Sequence, residues 1–188
     1  MRKIIVGVHM TLDGRMSGPE GDEDNIVSWG LPGITDSTAD FQSYFEAIDT
    51  ILLGRVTYQG LSQYWPTATG EFADYMNNIT KIVFSRGGLD KVEWGAFENI
   101  SLIHENVEAE VKRLKEQAGK DMIIFASSKL VQSFTNAGLI DEYRIVVHPV
   151  FLGSGKRLFD HIETRHDLKL KSVTPYQSGA VLLTYQVA

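Results

Sequence analysis

The sequence contains no cysteine. This absence excludes disulfide bonds and thiolate chemistry, and it suits a reducing compartment such as the cytoplasm. Long hydrophobic runs are also missing, since the apolar start of the chain is broken at Asp13, too early for a secretory signal or a membrane span. Basic residues are fewer than acidic residues, and the resulting net charge of -6 argues against general binding to nucleic acid phosphates. We therefore expect a cytoplasmic protein without a membrane or nucleic acid partner.

The length and composition are those of an ordinary globular protein. The 188 residues are 43% hydrophobic and 22% charged. A chain of this size can bury about 70% of its extended surface around one core, whereas two domains would each be small. We expect one domain over residues 1–188.

One stretch combines a strand, a tight turn and a helix within a short length of chain. Met122–Phe125 is a brief apolar run that predicts a buried strand, and Leu130 begins the apolar positions of a helix that Gly138 would end. Between them stand the small residues Ala126, Ser127 and Ser128. The first amides of a helix lack partners within it and attract phosphate. Alternatively, Ser127 or Ser128 is only a side-chain cap for those amides.

Two other predicted strands end in the same way. Ile51–Leu53 is followed by Gly54 and Arg55 and then by a helix over 56–64, while 81–84 is followed by Ser85 and Arg86. Ligands of open α/β sheets gather at the carboxyl ends of strands, and arginine makes charge-assisted contacts with phosphate. The three strand ends together predict a site for a nucleotide with several phosphates.

The remaining pattern predicts an α/β fold with a central, mixed but mostly parallel sheet, flanked by helices and completed by a C-terminal antiparallel hairpin. A polar, glycine-rich loop is predicted up to Gly33. Glu108 stands four residues before Lys112 on a predicted amphipathic helix, whose charges are expected to form a solvated face. The other predicted strands cover 4–8, 100–103 and 143–147. The other predicted helices cover 35–49, 71–77 and 105–118, and the predicted hairpin covers 168–173 and 180–187.

Five short motifs, spread in order from residue 11 to residue 159, carry a family resemblance. They are Thr11-Leu12-Asp13-Gly14, Leu52-Leu53-Gly54-Arg55-Val56-Thr57-Tyr58, Val83-Phe84-Ser85-Arg86, 138–143 and 149–159. Together they resemble the dihydrofolate-reductase-like fold, specifically the reductase domain at the C-terminus of the riboflavin-biosynthesis protein RibD and its stand-alone relatives.

The resemblance implies an NADPH-dependent reductase that works as a homodimer, with contacts through the terminal hairpin and the strand at Tyr143. It implies three groups of cofactor-binding residues. The pyrophosphate would be bound by Gly54, Arg55, Val56 and Thr57, and the adenosine 2'-phosphate by Ser85 and Arg86. The pyrophosphate would be covered from the other side by Ala126, Ser127, Ser128 and Leu130. Family members usually have glycine where this chain has Ala126. The added methyl group is expected to hinder the backbone's approach to pyrophosphate or to forbid an unusual backbone conformation.

The resemblance also implies a small nitrogen heterocycle as substrate, either pterin-like or like 5-amino-6-ribosylaminouracil phosphate. Asp13 would orient it or supply a proton, unless this aspartate only forms a turn before glycine. Trp29 would stack on it, unless this tryptophan only packs. Two alternatives remain, a catalytically weak or inactive nucleotide-binding module and a reductase of small carbonyl compounds. No metal is expected, because His161 and His166 miss the usual zinc spacings.

Overall fold

The structure is a computed structural model, and it describes residues 1–18 and 26–188. The predicted polar loop therefore lies partly outside the described residues. The strands are β1 (Ile4–Thr11), β2 (Arg15–Ser17), β3 (Ile48–Gly54), β4 (Thr80–Phe84), β5 (Ile100–Ile103), β6 (Asp121–Phe125), β7 (Glu142–His148), β8 (Lys156–Arg157), β9 (Leu168–Pro175) and β10 (Val181–Val187). The helices are α1 (Ile26–Phe45), α2 (Arg55–Tyr64), α3 (Glu71–Asn78), α4 (Val107–Glu116) and α5 (Ser128–Asn136).

Eight of these strands form one sheet in the order β5-β4-β3-β6-β1-β7-β10-β9. The pairs from β5 to β7 are parallel, whereas β10 runs antiparallel to both β7 and β9. Short β2 and β8 pair separately. The predicted α/β fold, with its mostly parallel sheet and C-terminal antiparallel hairpin, is confirmed.

Strand β1 lies inside the sheet because its residues are apolar on both faces. Ile4 and Val6 are fully buried and pack with α4 and α5 residues in one core cluster. On the other face of the sheet, Ile51 and Leu53 of β3 belong to a second cluster with residues of α2 and α3. The two layers of helices cover both faces of the sheet, in which the pairing of β3 with β4 and with β6 sets the carboxyl ends of these strands side by side.

Helix α1 corrects the sequence-based boundaries. It begins at Ile26, so the predicted start at Thr35 and the predicted loop up to Gly33 are both wrong. Pro32 lies inside the helix, and tertiary packing overrides the local cost of the proline. The predicted end at Asp49 is wrong as well, because β3 already begins at Ile48.

Within the described ranges, no helix is both long and apolar enough to cross a membrane.

Candidate functional site

A cleft of about 740 Å³ runs along the carboxyl ends of β3, β4 and β6. These strands are parallel neighbours in the sheet, which is why their last residues lie together. The structure brings all ten predicted cofactor residues to the wall of this cleft: Gly54, Arg55, Val56, Thr57, Ser85, Arg86, Ala126, Ser127, Ser128 and Leu130. Their proximity is a property of the fold, and their binding role stays a prediction.

Two helices begin at the wall of the cleft. The N-cap of α2 is Gly54 and that of α5 is Ser127, and neither helix has a side-chain cap from the described residues. Ser127 uses its hydroxyl differently, since its Oγ accepts the amide of Gly54 at 2.9 Å. The alternative in which Ser127 is a side-chain cap of its own helix is therefore wrong. The first amides of two helices border one cleft and carry the partial positive charge of both dipoles.

The turn between β6 and α5 has an unusual backbone. Ala126 and Ser127 have φ angles of 55° and 53°, in the left-handed region that favours glycine. The methyl group of Ala126 therefore does not forbid this conformation, contrary to one of the two expectations stated above. The turn is held from both sides, because the Ser127 hydroxyl accepts the amide of Gly54 and the Ser127 carbonyl accepts the amides of Leu130 and Val131.

The charge around the cleft is mainly positive. Its basic lining residues are Arg55, Arg86, Lys129 and Lys156. Arg55 donates to the carbonyl of Gly87 at 3.3 Å, whereas the exposed Arg86 makes no hydrogen bond or ion pair with the described part of the chain. Ser85 is buried and donates its hydroxyl to the carbonyl of Gly87 at 2.7 Å, so it shapes the turn that presents Arg86.

Beyond its polar rim the cleft extends between α4 and α5. Apolar side chains line this inner part, namely Phe84, Val107, Leu130, Phe134, Ala137 and Leu139. A cleft with cationic groups at the rim and apolar walls inside can hold a molecule that joins phosphates to a flat ring.

Several lining residues were not predicted. Lys129 directly follows the predicted Ser128, so its place on the helix start was a usable signal. Met16, Ser17 and Lys156 come from the β2–β8 pair, which joins residues about 140 positions apart and leaves no local trace in the sequence.

Asp13 lies outside the lining of the cleft. Its carboxylate accepts the hydroxyl of Thr11 at 2.5 Å and the amides of Leu152 and Gly153 at 3.3 and 2.9 Å. The bond from Thr11 and then those from the two amides lower the pKa of Asp13 to about 2. Asp13 is therefore anionic near neutral pH and joins the β1–β2 turn to the segment after β7, a geometry that favours the turn-forming alternative.

Trp29 also lies outside the lining of the cleft. It belongs to α1, and its ring meets His148 edge-on with centroids 5.2 Å apart. His148 Nε2 lies 2.9 Å from His9 Nδ1, and the His9 ring stacks on Phe41. Burial, and next the neighbouring His148, lower the pKa of His9 to about 3. The region packs α1 on β1 and β7, which favours the packing alternative for Trp29.

Comparisons with known proteins agree with this architecture. The family model of the RibD C-terminal domain matches residues 2–182. The YyaP protein of Bacillus subtilis (strain 168), whose function is uncharacterized, is 34% identical over 98% of this chain and 94% of its own length.

Two solved structures share the fold. A crystal structure from Shewanella sp. PV-4, named provisionally as a riboflavin biosynthesis protein, has a TM-score of 0.81 at 21% identity and covers 100% of this chain and 99% of its own. Dihydrofolate reductase from Enterococcus faecalis, complexed with NADP(H) and RAB-propyl, has a TM-score of 0.65 at 17% identity and covers 98% of this chain and 96% of its own. The predicted dihydrofolate-reductase-like fold is confirmed.

Proposed function

The chain belongs to the RibD C-terminal domain family, and on that premise we propose that it is an NADPH-dependent reductase of a small nitrogen heterocycle. The substrate class is pterin-like or like 5-amino-6-ribosylaminouracil phosphate. One observation carries the proposal: two helix starts without side-chain caps from the described residues, at Gly54 and Ser127, border a cleft that also carries Arg55 and Arg86.

The residues of the cleft fit the groups of a dinucleotide. Amides at the starts of α2 and α5 would bind the pyrophosphate, since helix N-termini favour anions. Arg86, whose guanidinium lacks a partner among the described residues, would bind the 2'-phosphate. The apolar walls around Phe84 and Phe134 would hold the adenine ring. When bound, the cofactor supplies the hydride for reduction.

A binding module without catalysis is the second candidate, and Asp13 is the observation that favours it. Reduction needs a proton as well as a hydride. The carboxyl group proposed to supply that proton has a pKa of about 2 and is occupied by Thr11 and two amides. The two candidates are separated by turnover: a reductase oxidises NADPH with some member of a panel of pterins, aminopyrimidines and small carbonyls, whereas a binding module oxidises it with none.

The role of Arg86 can be tested by titrating both cofactors. We expect Arg86→Ala to weaken the binding of NADPH by about 1.5–3 kcal/mol, which is the usual contribution of a charged hydrogen bond. The binding of NADH should stay nearly unchanged. Arg113→Ala is the matched control, because Arg113 is exposed and pairs with Glu110 away from the cleft. Equal losses of affinity for NADPH and NADH would contradict the proposal that Arg86 binds the 2'-phosphate.

We also propose that residues 1–188 fold as one domain. β1 near the start and β10 near the end belong to the same sheet, on either side of β7. One cooperative unfolding transition, seen equally by far-ultraviolet circular dichroism and by tryptophan fluorescence, would support this proposal, and two separate transitions would contradict it.

The homodimer is proposed to form through one face of the β9–β10 hairpin. Paired residues of antiparallel strands share a face, and Leu168, Leu170 and Val173 lie opposite Val187, Tyr185 and Leu183. The three β9 side chains are 41%, 55% and 50% exposed. Because none of these six carries a charge, a second copy can meet this face without the repulsion expected elsewhere on a chain of net charge -6.

Light scattering coupled to gel filtration tests the dimer. The unaltered protein should have twice the mass of one chain, and Leu170→Asp should shift it to the monomer. Leu31→Asp is the control, since Leu31 of α1 is 52% exposed but lies outside the hairpin. A monomeric unaltered protein, or equal effects of the two substitutions, would contradict the proposal.

A further inference from the structure

The cleft contains one carboxylate among its described lining residues. Glu108, in the first turn of α4, lines it together with the basic Arg55, Arg86, Lys129 and Lys156. Glu108 and Lys112 form no ion pair within the described chain, whereas Glu110 and Arg113 of the same helix do. The exposed carboxylate of Glu108 is thus available to a molecule in the cleft.

The sheet places Glu108 at the same end of the cleft as Arg86. β4 and β5 are parallel neighbours, with Phe84 opposite Ile103 at their ends. Arg86 follows Phe84 by two residues, and α4 begins at Val107, just after the end of β5. Both side chains therefore enter the cleft from the β4–β5 edge, which is where we proposed that the adenosine 2'-position lies.

The two side chains have opposite preferences for that position. A guanidinium favours a 2'-phosphate, whereas a carboxylate repels it and accepts hydrogen bonds from the ribose hydroxyls of NADH. A carboxylate near the 2'-phosphate would oppose the binding of NADPH. A cleft that served both cofactors would need one group for each.

We propose that Glu108 is a specificity-determining residue that lets the cleft accept NADH alongside NADPH. This inference rests on the proposed dinucleotide function and deepens it. Arg86 favours the phosphorylated cofactor, Glu108 favours the unphosphorylated one, and the ratio of the two dissociation constants reflects their balance.

The test is the dissociation constant of NADPH and of NADH for the unaltered protein and for Glu108→Gln. The substitution keeps the size of the side chain and removes its charge. We expect about tenfold weaker NADH binding and about threefold tighter NADPH binding, since one charged contact is typically worth a factor of ten or more. Glu105→Gln is the control, because Glu105 is exposed, precedes the same helix and lies outside the lining of the cleft.

A structural role would give a different result. If Glu108 only stabilises the start of α4 through the helix dipole, Glu108→Gln would lower the melting temperature and leave the NADPH-to-NADH ratio unchanged. That outcome would overturn this inference while the proposed function stands. If the unaltered protein bound neither cofactor, the proposed function would fail, and this inference with it.

Discussion

The cleft and the histidine pair under α1, formed by His9 and His148, treat their polar groups in opposite ways. At the cleft, two helix starts have no side-chain cap from the described residues, and Arg86 has no partner there. Under α1, His9 and His148 bond to each other and are enclosed by aromatic rings. Unpaired donors beside open space are available to a ligand, whereas paired groups in a packed region are committed to stability. The contrast supports the proposal that the cleft binds a ligand, and it indicates that α1 has a supporting role.

The largest expected effect is a loss of stability in mild acid. Burial and the neighbouring His148 lower the pKa of folded His9 to about 3, whereas an unfolded histidine titrates near 6.5. Between these values the unfolded chain binds the extra proton, so the free energy of unfolding falls as the pH falls below 6.5, by up to about 1.4 kcal/mol per pH unit. Chemical denaturation at several pH values measures this slope.

The variant His9→Phe should flatten that slope, because it removes one of two buried histidines whose pKa is lowered by burial. The exposed His104 provides the control, and His104→Gln should keep the slope of the unaltered protein. An unchanged slope in His9→Phe would show that His9 is not the origin of the acid sensitivity.

The next effect concerns the contact between α1 and His148. A Cβ atom at Gly33 would lie 2.6 Å from His148 Cε1 and 2.8 Å from the Cβ of Ala180. We expect Gly33→Ala to destabilise the protein by about 1–3 kcal/mol through overpacking. A Cβ atom at Gly60 in α2 would have no atom within 4 Å. Gly60→Ala should therefore stabilise the protein by up to about 1 kcal/mol through its higher helix propensity. Equal shifts in melting temperature would contradict the close packing of α1.

A smaller effect is expected at the cleft. Ala126 has a φ of 55°, a conformation that costs an L-residue about 1–2 kcal/mol. Glycine removes this cost, but its greater freedom in the unfolded chain offsets part of the gain. Ala126→Gly should therefore stabilise the protein by about 0.5–1 kcal/mol. At Ala137, where φ is -81°, the same change should only destabilise. If Ala126→Gly proved no better than Ala137→Gly, the strained turn would be disproved.

The smallest expected effect concerns the pH–rate profile, which Asp13→Asn should not shift. Since the pKa of Asp13 is about 2, its carboxylate does not titrate in the working range. In a reductase, Asp13→Asn should therefore leave the pKa values of the pH–rate profile between about pH 5 and 9 in place, even if the rate falls. The loss of one limb of that profile would instead identify Asp13 as the proton donor.

The strands and the cleft followed from local signals, since short apolar runs predict buried strands and the small residues after Leu53 and Phe125 predict helix starts. Helix α1 did not follow, because Gly30, Pro32 and Gly33 are typical of a loop. Only the three-dimensional contact explains Gly30 and Gly33, whose missing side chains let the helix lie against His148. Lys156 was missed because the β2–β8 pairing that brings it to the cleft connects distant parts of the chain.

The most direct test of the central claim is an amide-resolved NMR titration of the protein with NADPH. If the pyrophosphate binds between the two helix starts, the amide signals of 55–57 and of 128–129 should shift together, with one common dissociation constant, while those of α3 stay in place. Shifts confined to other parts of the chain, or no shifts with NADPH or NADH, would contradict the account.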